Sequence, residues 1–159
     1  MPPLADRIAL VTGASRGIGR ATALALTRAG AHVVAVARTV GGLEELDDEI
    51  RAVGGSATLV PLDLKDAPGI ARLAAALAER YHRLDVLVGN AGMLGPLSPL
   101  DHVEPKAWTE VLAVNLTANW HLIRSMNALL KQSTAARVVF VTSGIAAHPR
   151  ACGCGWRRD

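Results

Sequence analysis

Aromatic residues are scarce: the 159-residue chain has three tryptophans, one tyrosine and one phenylalanine. Its core must therefore be built from Ala, Val, Leu and Ile, a composition common in parallel sheets covered by helices. Cysteine is nearly absent. Cys152 and Cys154 are the only two. They are too close for an unstrained disulfide and too few for a metal site, even with His148 as a third ligand, so no metal is expected. No apolar run is long enough to cross a bilayer, and Asp6 and Arg7 interrupt the N-terminus too early for a signal peptide. No membrane partner is expected, and a cytoplasmic location follows by default. A strong excess of one charge is also missing. The formal charge is +3, and most of it comes from Arg150, Arg157 and Arg158 against Asp159. The body is nearly neutral, and no nucleic-acid surface is expected.

Half of the residues are hydrophobic and 19% are charged, which excludes a disordered chain. The length suits one domain with a single core. Short apolar runs alternate with longer segments of helical period. Strands are expected at 7–13, 31–38, 57–64 (broken by Pro61), 85–92 with its exit loop, and 136–144. Helices are expected at 17–30, 41–55, 68–84 and, as one long helix, 106–133, with a proline-punctuated loop at 96–105. That β-α-β-α-β-α-β-α-β order implies an α/β fold: a three-layer, doubly wound parallel sheet of about five strands, the Rossmann arrangement, spanning 1–150.

Between the first strand and the first helix stands "TGASRGIG", residues 12–19. Gly13 permits the turn. Gly17 and Gly19 let the backbone approach a pyrophosphate and let the helix pack on the strand. The helix N-terminus, with Ser15, Arg16 and Ile18 around it, offers N–H groups and a partial positive charge to phosphate. This is the pattern of a dinucleotide-binding turn. NAD binders usually carry an acidic residue at the end of the second strand. Here Ala37 and Arg38 stand there. Arg38, with Arg16 from the loop, suits a 2′-phosphate, so NADP(H) is expected over NAD(H).

Together with "NAG" (90–92), "VN" (114–115) and "VTSG" (141–144), in that order, the loop resembles that of the short-chain dehydrogenases/reductases, over residues 7 to about 150. The resemblance implies hydride transfer between NADP(H) and a small carbonyl or alcohol substrate, and homo-oligomeric full-length relatives. It implies that Asp63, with Leu64 beside it, hydrogen-bonds the adenine. It implies that Asn90, Ala91 and Gly92 line the adenosine side, although the family often has two asparagines there and Gly89 replaces the first. Asn115 would hold a water of the proton relay, and Ser143 would hydrogen-bond the substrate oxygen.

The family's catalytic Tyr-x-x-x-Lys is absent from the chain. The expected tyrosine position falls near Cys154 to Trp156; the lone tyrosine is Tyr81 and the last lysine is Lys131. Residues 151–159 read as GC-rich DNA translated out of frame, so a frameshifted or truncated product is expected, with a deliberate short protein as the alternative. The fifth strand would then be an unpaired apolar edge, and the long helix would expose an apolar face. Three readings stay open: the parent oxidoreductase, a dinucleotide-binding remnant or regulator without catalysis, and a non-functional fragment. Leu94, Leu97 and Leu100 suggest an apolar wall for a substrate pocket.

Overall fold

The computed structural model describes residues 1–144. His148, Cys152, Cys154, the tail 151–159 and the end of the expected 1–150 domain lie outside the described residues.

Five parallel strands form one sheet in the order β3-β2-β1-β4-β5: β1 (Ile8–Thr12), β2 (His32–Ala37), β3 (Ala57–Pro61), β4 (Val86–Gly89) and β5 (Arg137–Phe140). Strand alternation divides the apolar residues between two cores. On one face Val11, Val33, Ala35 and Val88 meet Ala23 of helix α1 (Gly17–Arg28) and Leu43, Leu46 and Ile50 of α2 (Val40–Ala52). On the other, Leu10, Val34, Val36 and Leu87 meet Ile70, Leu73 and Leu77 of α3 (Ala67–Tyr81) and Leu122, Met126 and Leu129 of α5 (Ala118–Lys131). The result is helix–sheet–helix, three layers, as the alternation of the sequence implies.

Two details differ from the expectations. Pro61 does not break β3 but ends it, paired with Ala37 on an outer strand of the sheet, where a missing N–H is tolerated. The expected single helix over 106–133 is α4 (Pro105–Leu112) and α5 joined by a π turn at Ala113–Thr117, where the Ala118 N–H reaches back five residues to the Ala113 carbonyl. Helical periodicity does not reveal one extra residue in a turn. Leu94, Leu97 and Leu100 are exposed, with nothing covering them among the described residues.

The N-terminal edge of the sheet is held by Asp85, which is almost fully buried. It accepts hydrogen bonds from the Ile8 N–H (2.9 Å), Arg7 (2.7 Å), Arg83 (3.1 Å) and the Ser133 hydroxyl (2.6 Å). Burial alone would raise its pKa. The bonds from Ser133, Ile8, Arg7 and Arg83 outweigh that and hold it at about 2. At the far edge, Val138 and Val139 of β5 are 43% and 52% exposed. Trp108, Leu112, Leu116, Trp120 and Ile123 form an exposed apolar line along α4, the π turn and α5. Both features match the expectation of an apolar edge and an apolar helix face.

Candidate functional site

The strand order reverses direction between β1 and β4, and in an open parallel sheet a ligand crevice forms outside the C-terminal ends of the strands at that switch point. The 12–19 loop fills this place. Gly13 has φ +64, and a Cβ there would lie 2.9 Å from the Ala91 Cα. A Cβ on Gly19 would lie 2.2 Å from the Gly13 carbonyl oxygen. The loop therefore folds back on its own helix start and against β4's exit, an approach that only glycine permits. Arg16, the residue before α1, makes no side-chain cap, and α1's first turn holds no acidic residue. The helix start keeps its partial positive charge uncompensated by side chains.

Thr12 and Asn90 tie the two strand exits together. The buried Thr12 hydroxyl donates to the Val88 carbonyl (3.3 Å) and accepts from the N–H groups of Asn90 (3.0 Å) and Ala91 (3.1 Å). The Asn90 amide donates to the carbonyls of Thr12 (3.0 Å) and Gly13 (3.3 Å). Asn90 is thus placed as a clamp under the loop. The sequence reading named Asn90 and missed Thr12; a buried hydroxyl at the end of an apolar strand was the available signal.

A cleft of about 460 Å³ opens above these residues. Gly13, Ser15, Arg16, Gly17 and Ile18 line it from the loop, and Arg38 with Thr39 from the end of β2. Asp63 and Leu64 line it after β3, and Asn90, Ala91 and Gly92 after β4. Asp63 also accepts from the Lys65 N–H (3.0 Å), which fixes its turn. Gly19 stays beneath the cleft as the packing glycine. Val36, Leu62 and Val114 add apolar lining; of these the sequence marked only Val114, as part of the "VN" motif. Eleven of the twelve expected cofactor-binding residues line this one cleft.

The two expected catalytic residues are placed differently. Asn115, in the π turn, spends its side-chain amide on the backbone of Met93: it accepts from the N–H and donates to the carbonyl, both at 2.9 Å. Its own carbonyl accepts from the Asn119 amide (2.8 Å). The side chain thus pins the β4 exit loop to the long helical segment. Ser143 is exposed just past β5, at the same end of the sheet as the loop. Tyr81 closes α3 at the opposite edge of the sheet, bonded to His32 and Thr58 and distant in the fold from this cleft. Gly89, standing where an asparagine is frequent, has a structural partner: a Cβ there would lie 2.3 Å from the Phe140 ring and 2.8 Å from the Asn119 amide oxygen. The Phe140 ring fills the space that a side chain at 89 would take.

A parallel βαβ sheet, a glycine turn at the switch point and a cleft above it define a Rossmann-type α/β fold. The chain belongs to the short chain dehydrogenase family, which matches residues 7–156. It is 36% identical over 151 residues to Uncharacterized oxidoreductase YciK of Escherichia coli (strain K12), covering 93% of this chain and 60% of that protein. It is 39% identical to a rhamnolipids biosynthesis 3-oxoacyl-[acyl-carrier-protein] reductase of Pseudomonas aeruginosa, covering 84% of this chain and 51% of that one. A metagenomic short-chain oxidoreductase solved in complex with NADP superposes with a TM-score of 0.85 at 38% identity, covering 89% of this chain and 64% of that one. The chain thus spans between half and two thirds of the length of these relatives. Among the described residues no helix is long and apolar enough to cross a membrane, and no group of His, Cys, Asp or Glu could hold a metal ion.

Proposed function

We propose that these residues form the cofactor-binding part of an NADP(H)-dependent oxidoreductase acting on a small carbonyl or alcohol, and that the 159 residues bind the cofactor without turning it over. One observation carries the cofactor choice: Arg16 and Arg38 line the same cleft with Ser15 and Thr39, and no carboxylate stands at the end of β2. A guanidinium pair suits a 2′-phosphate, whereas a ribose 2′-hydroxyl calls for an acid. The cradle fits a dinucleotide: Gly17, with open space where a Cβ would stand, would let the backbone approach the pyrophosphate, the α1 N-terminus would face it, and Asp63 would reach an adenine edge. The nicotinamide, when bound, donates or accepts the hydride. The protein's share would be to hold the substrate oxygen at Ser143 and to move its proton, for which the family uses a tyrosine with a lysine four residues on. No Tyr-x-x-x-Lys occurs among these residues, so binding without turnover is the expected state.

Calorimetric titration tests the cofactor choice. NADPH should bind more tightly than NADH, and Arg38→Asp should weaken NADPH by about 2 kcal/mol while improving NADH. An unchanged ratio would remove the assignment. Activity is tested by following NADPH absorbance with a panel of ketones and aldehydes. No substrate-dependent oxidation is expected; a signal abolished by Ser143→Ala would show that these residues catalyse after all.

A further inference from the structure

A second cavity, of about 520 Å³, opens at the other edge of the sheet, where the strands begin. Ile8, His32 and Ser56 line it from the starts of β1, β2 and β3, Thr27 from α1, Tyr81 from the end of α3, and Asp6 from the turn before β1. Nothing in the nucleotide site uses these groups.

His32 is the centre of the cluster. Its Nδ1 lies 2.7 Å from the Ser56 Oγ, and its Nε2 lies 2.9 Å from the Thr58 Oγ1 and 2.8 Å from the Tyr81 hydroxyl; those two hydroxyls are 2.7 Å apart. Burial, aided by the charge of Arg80, lowers the His32 pKa and keeps the ring neutral at pH 7. A neutral imidazole has one N–H and one lone pair to offer in the ring plane. If Nδ1 carries the hydrogen, it donates to Ser56, and the Ser56 hydrogen is left over. Nε2 then accepts from Tyr81 or Thr58, and the other hydroxyl donates to its neighbour. If Nε2 carries the hydrogen, Ser56 donates to Nδ1, and one hydrogen of the Thr58–Tyr81 pair is left over. Either tautomer leaves one hydroxyl hydrogen that no acceptor inside the cluster can take.

The acceptors are as plain. The Asp6 carboxylate has no ion-pair or hydrogen-bond partner among the described residues, while its backbone is fixed by a turn whose carbonyl accepts from Arg83. Thr27, on the wall, has a buried Oγ1 with no partner among the described residues. No lysine or arginine among the described residues lines the cavity, so Asp6 leaves it unsuited to a phosphate or carboxylate. The spare donor and the lone carboxylate make it unsuited to an apolar guest. A group that both donates and accepts satisfies both, and that group is a hydroxyl. His32 and Tyr81, their rings tilted by 41° and 5.2 Å apart between centroids, both line the cavity.

We propose that this cavity is a second binding site, opposite the nucleotide cleft, for a small uncharged polyol of monosaccharide size. The test is a titration of the isotope-labelled full chain with glucose and with sorbitol, followed by amide shifts, with sodium phosphate and acetate as competitors. Saturable shifts at Asp6, Ser56 and Tyr81 are expected, about tenfold weaker binding in Tyr81→Phe and in Asp6→Gly, and no change in Arg38→Asp. Asp6 is exposed and has φ +60, a conformation that glycine adopts without strain, so Asp6→Gly removes the carboxylate and keeps the turn, and the test stays decisive if Tyr81→Phe alters the cluster itself. No saturable shift with either polyol would overturn the proposal. So would phosphate or acetate shifting the same amides, or polyol binding unaffected by Asp6→Gly.

Discussion

Asp85 concentrates several long-range contacts in one side chain. Its folded pKa of about 2 lies below the ordinary value of 3.8, so the native state binds its proton less readily than the unfolded chain. The stability this contributes, about 2 kcal/mol, is fully present above pH 3.8 and is lost as pH falls towards 2. Asp85→Ala should cost about 3 kcal/mol at pH 7, because the Ile8 N–H and the Ser133 hydroxyl lose their acceptor. It should also flatten the acid limb of a urea-unfolding series run against pH; an unchanged acid limb would assign that limb to other carboxylates. None of this was legible in the sequence, since Arg7, Asp85 and Ser133 are dispersed along the chain and no local pattern marks them as partners. Gly89 is the converse case. Its departure from the family pattern was visible, but its reason was not, because the Phe140 ring arrives from another strand. Gly89→Asn should destabilise by about 2 kcal/mol, and Phe140→Ala in the same chain should recover part of that loss in a double-mutant cycle.

Elements were the most legible scale. The succession of strands and helices along the chain and the alternation that gives two cores follow from periods of two and of 3.6 residues, which are local properties, whereas the order of the strands within the sheet is not one. Ends were less legible. β3 and β5 are shorter than their apolar runs, because pairing, and not hydrophobicity, decides where a strand stops. The π turn around Asn115 was hidden for a similar reason: its sequence is helical throughout, and only the amide's two bonds to Met93 reveal why the extra residue is there. Asn115→Ala should leave α4 and α5 in place but loosen the loop after β4, seen as faster hydrogen exchange at Met93 and Leu94. The start of α3 is set by Asp66, which accepts from the Gly69 N–H at 2.9 Å. Asp66→Ala should cost about 1 kcal/mol in chemical denaturation.

At the scale of the whole molecule, the apolar line from Trp108 to Ile123 and the open face of β5 leave large apolar side chains uncovered among the described residues, and such contiguous surface favours association. Replacing Leu116 and Trp120 together by lysine should raise the concentration at which the chain stays monodisperse in light scattering, without loss of nucleotide binding. NADPH at a hundred times its Kd should stabilise the fold by about 2.7 kcal/mol, read as a higher Tm, and the gain should shrink in Arg38→Asp. The lining of the cleft at the switch point was legible because its parts are short motifs at strand ends. The His32 cluster was not, since nothing in the spacing of His32, Ser56, Thr58 and Tyr81 announces a shared cavity.

Among the described residues, those lining the cleft at the switch point lie between Gly13 and Val114, and four adjacent strands hold the loops that supply all but the last. Chains leave the ribosome from the N-terminus, and domains form as their parts emerge. The cleft can therefore take shape while β5 and everything after it are still being synthesised. A nascent chain that bound a dinucleotide at that stage would gain stability before its later elements exist, and the nucleotide would then act as a folding aid for the growing polypeptide.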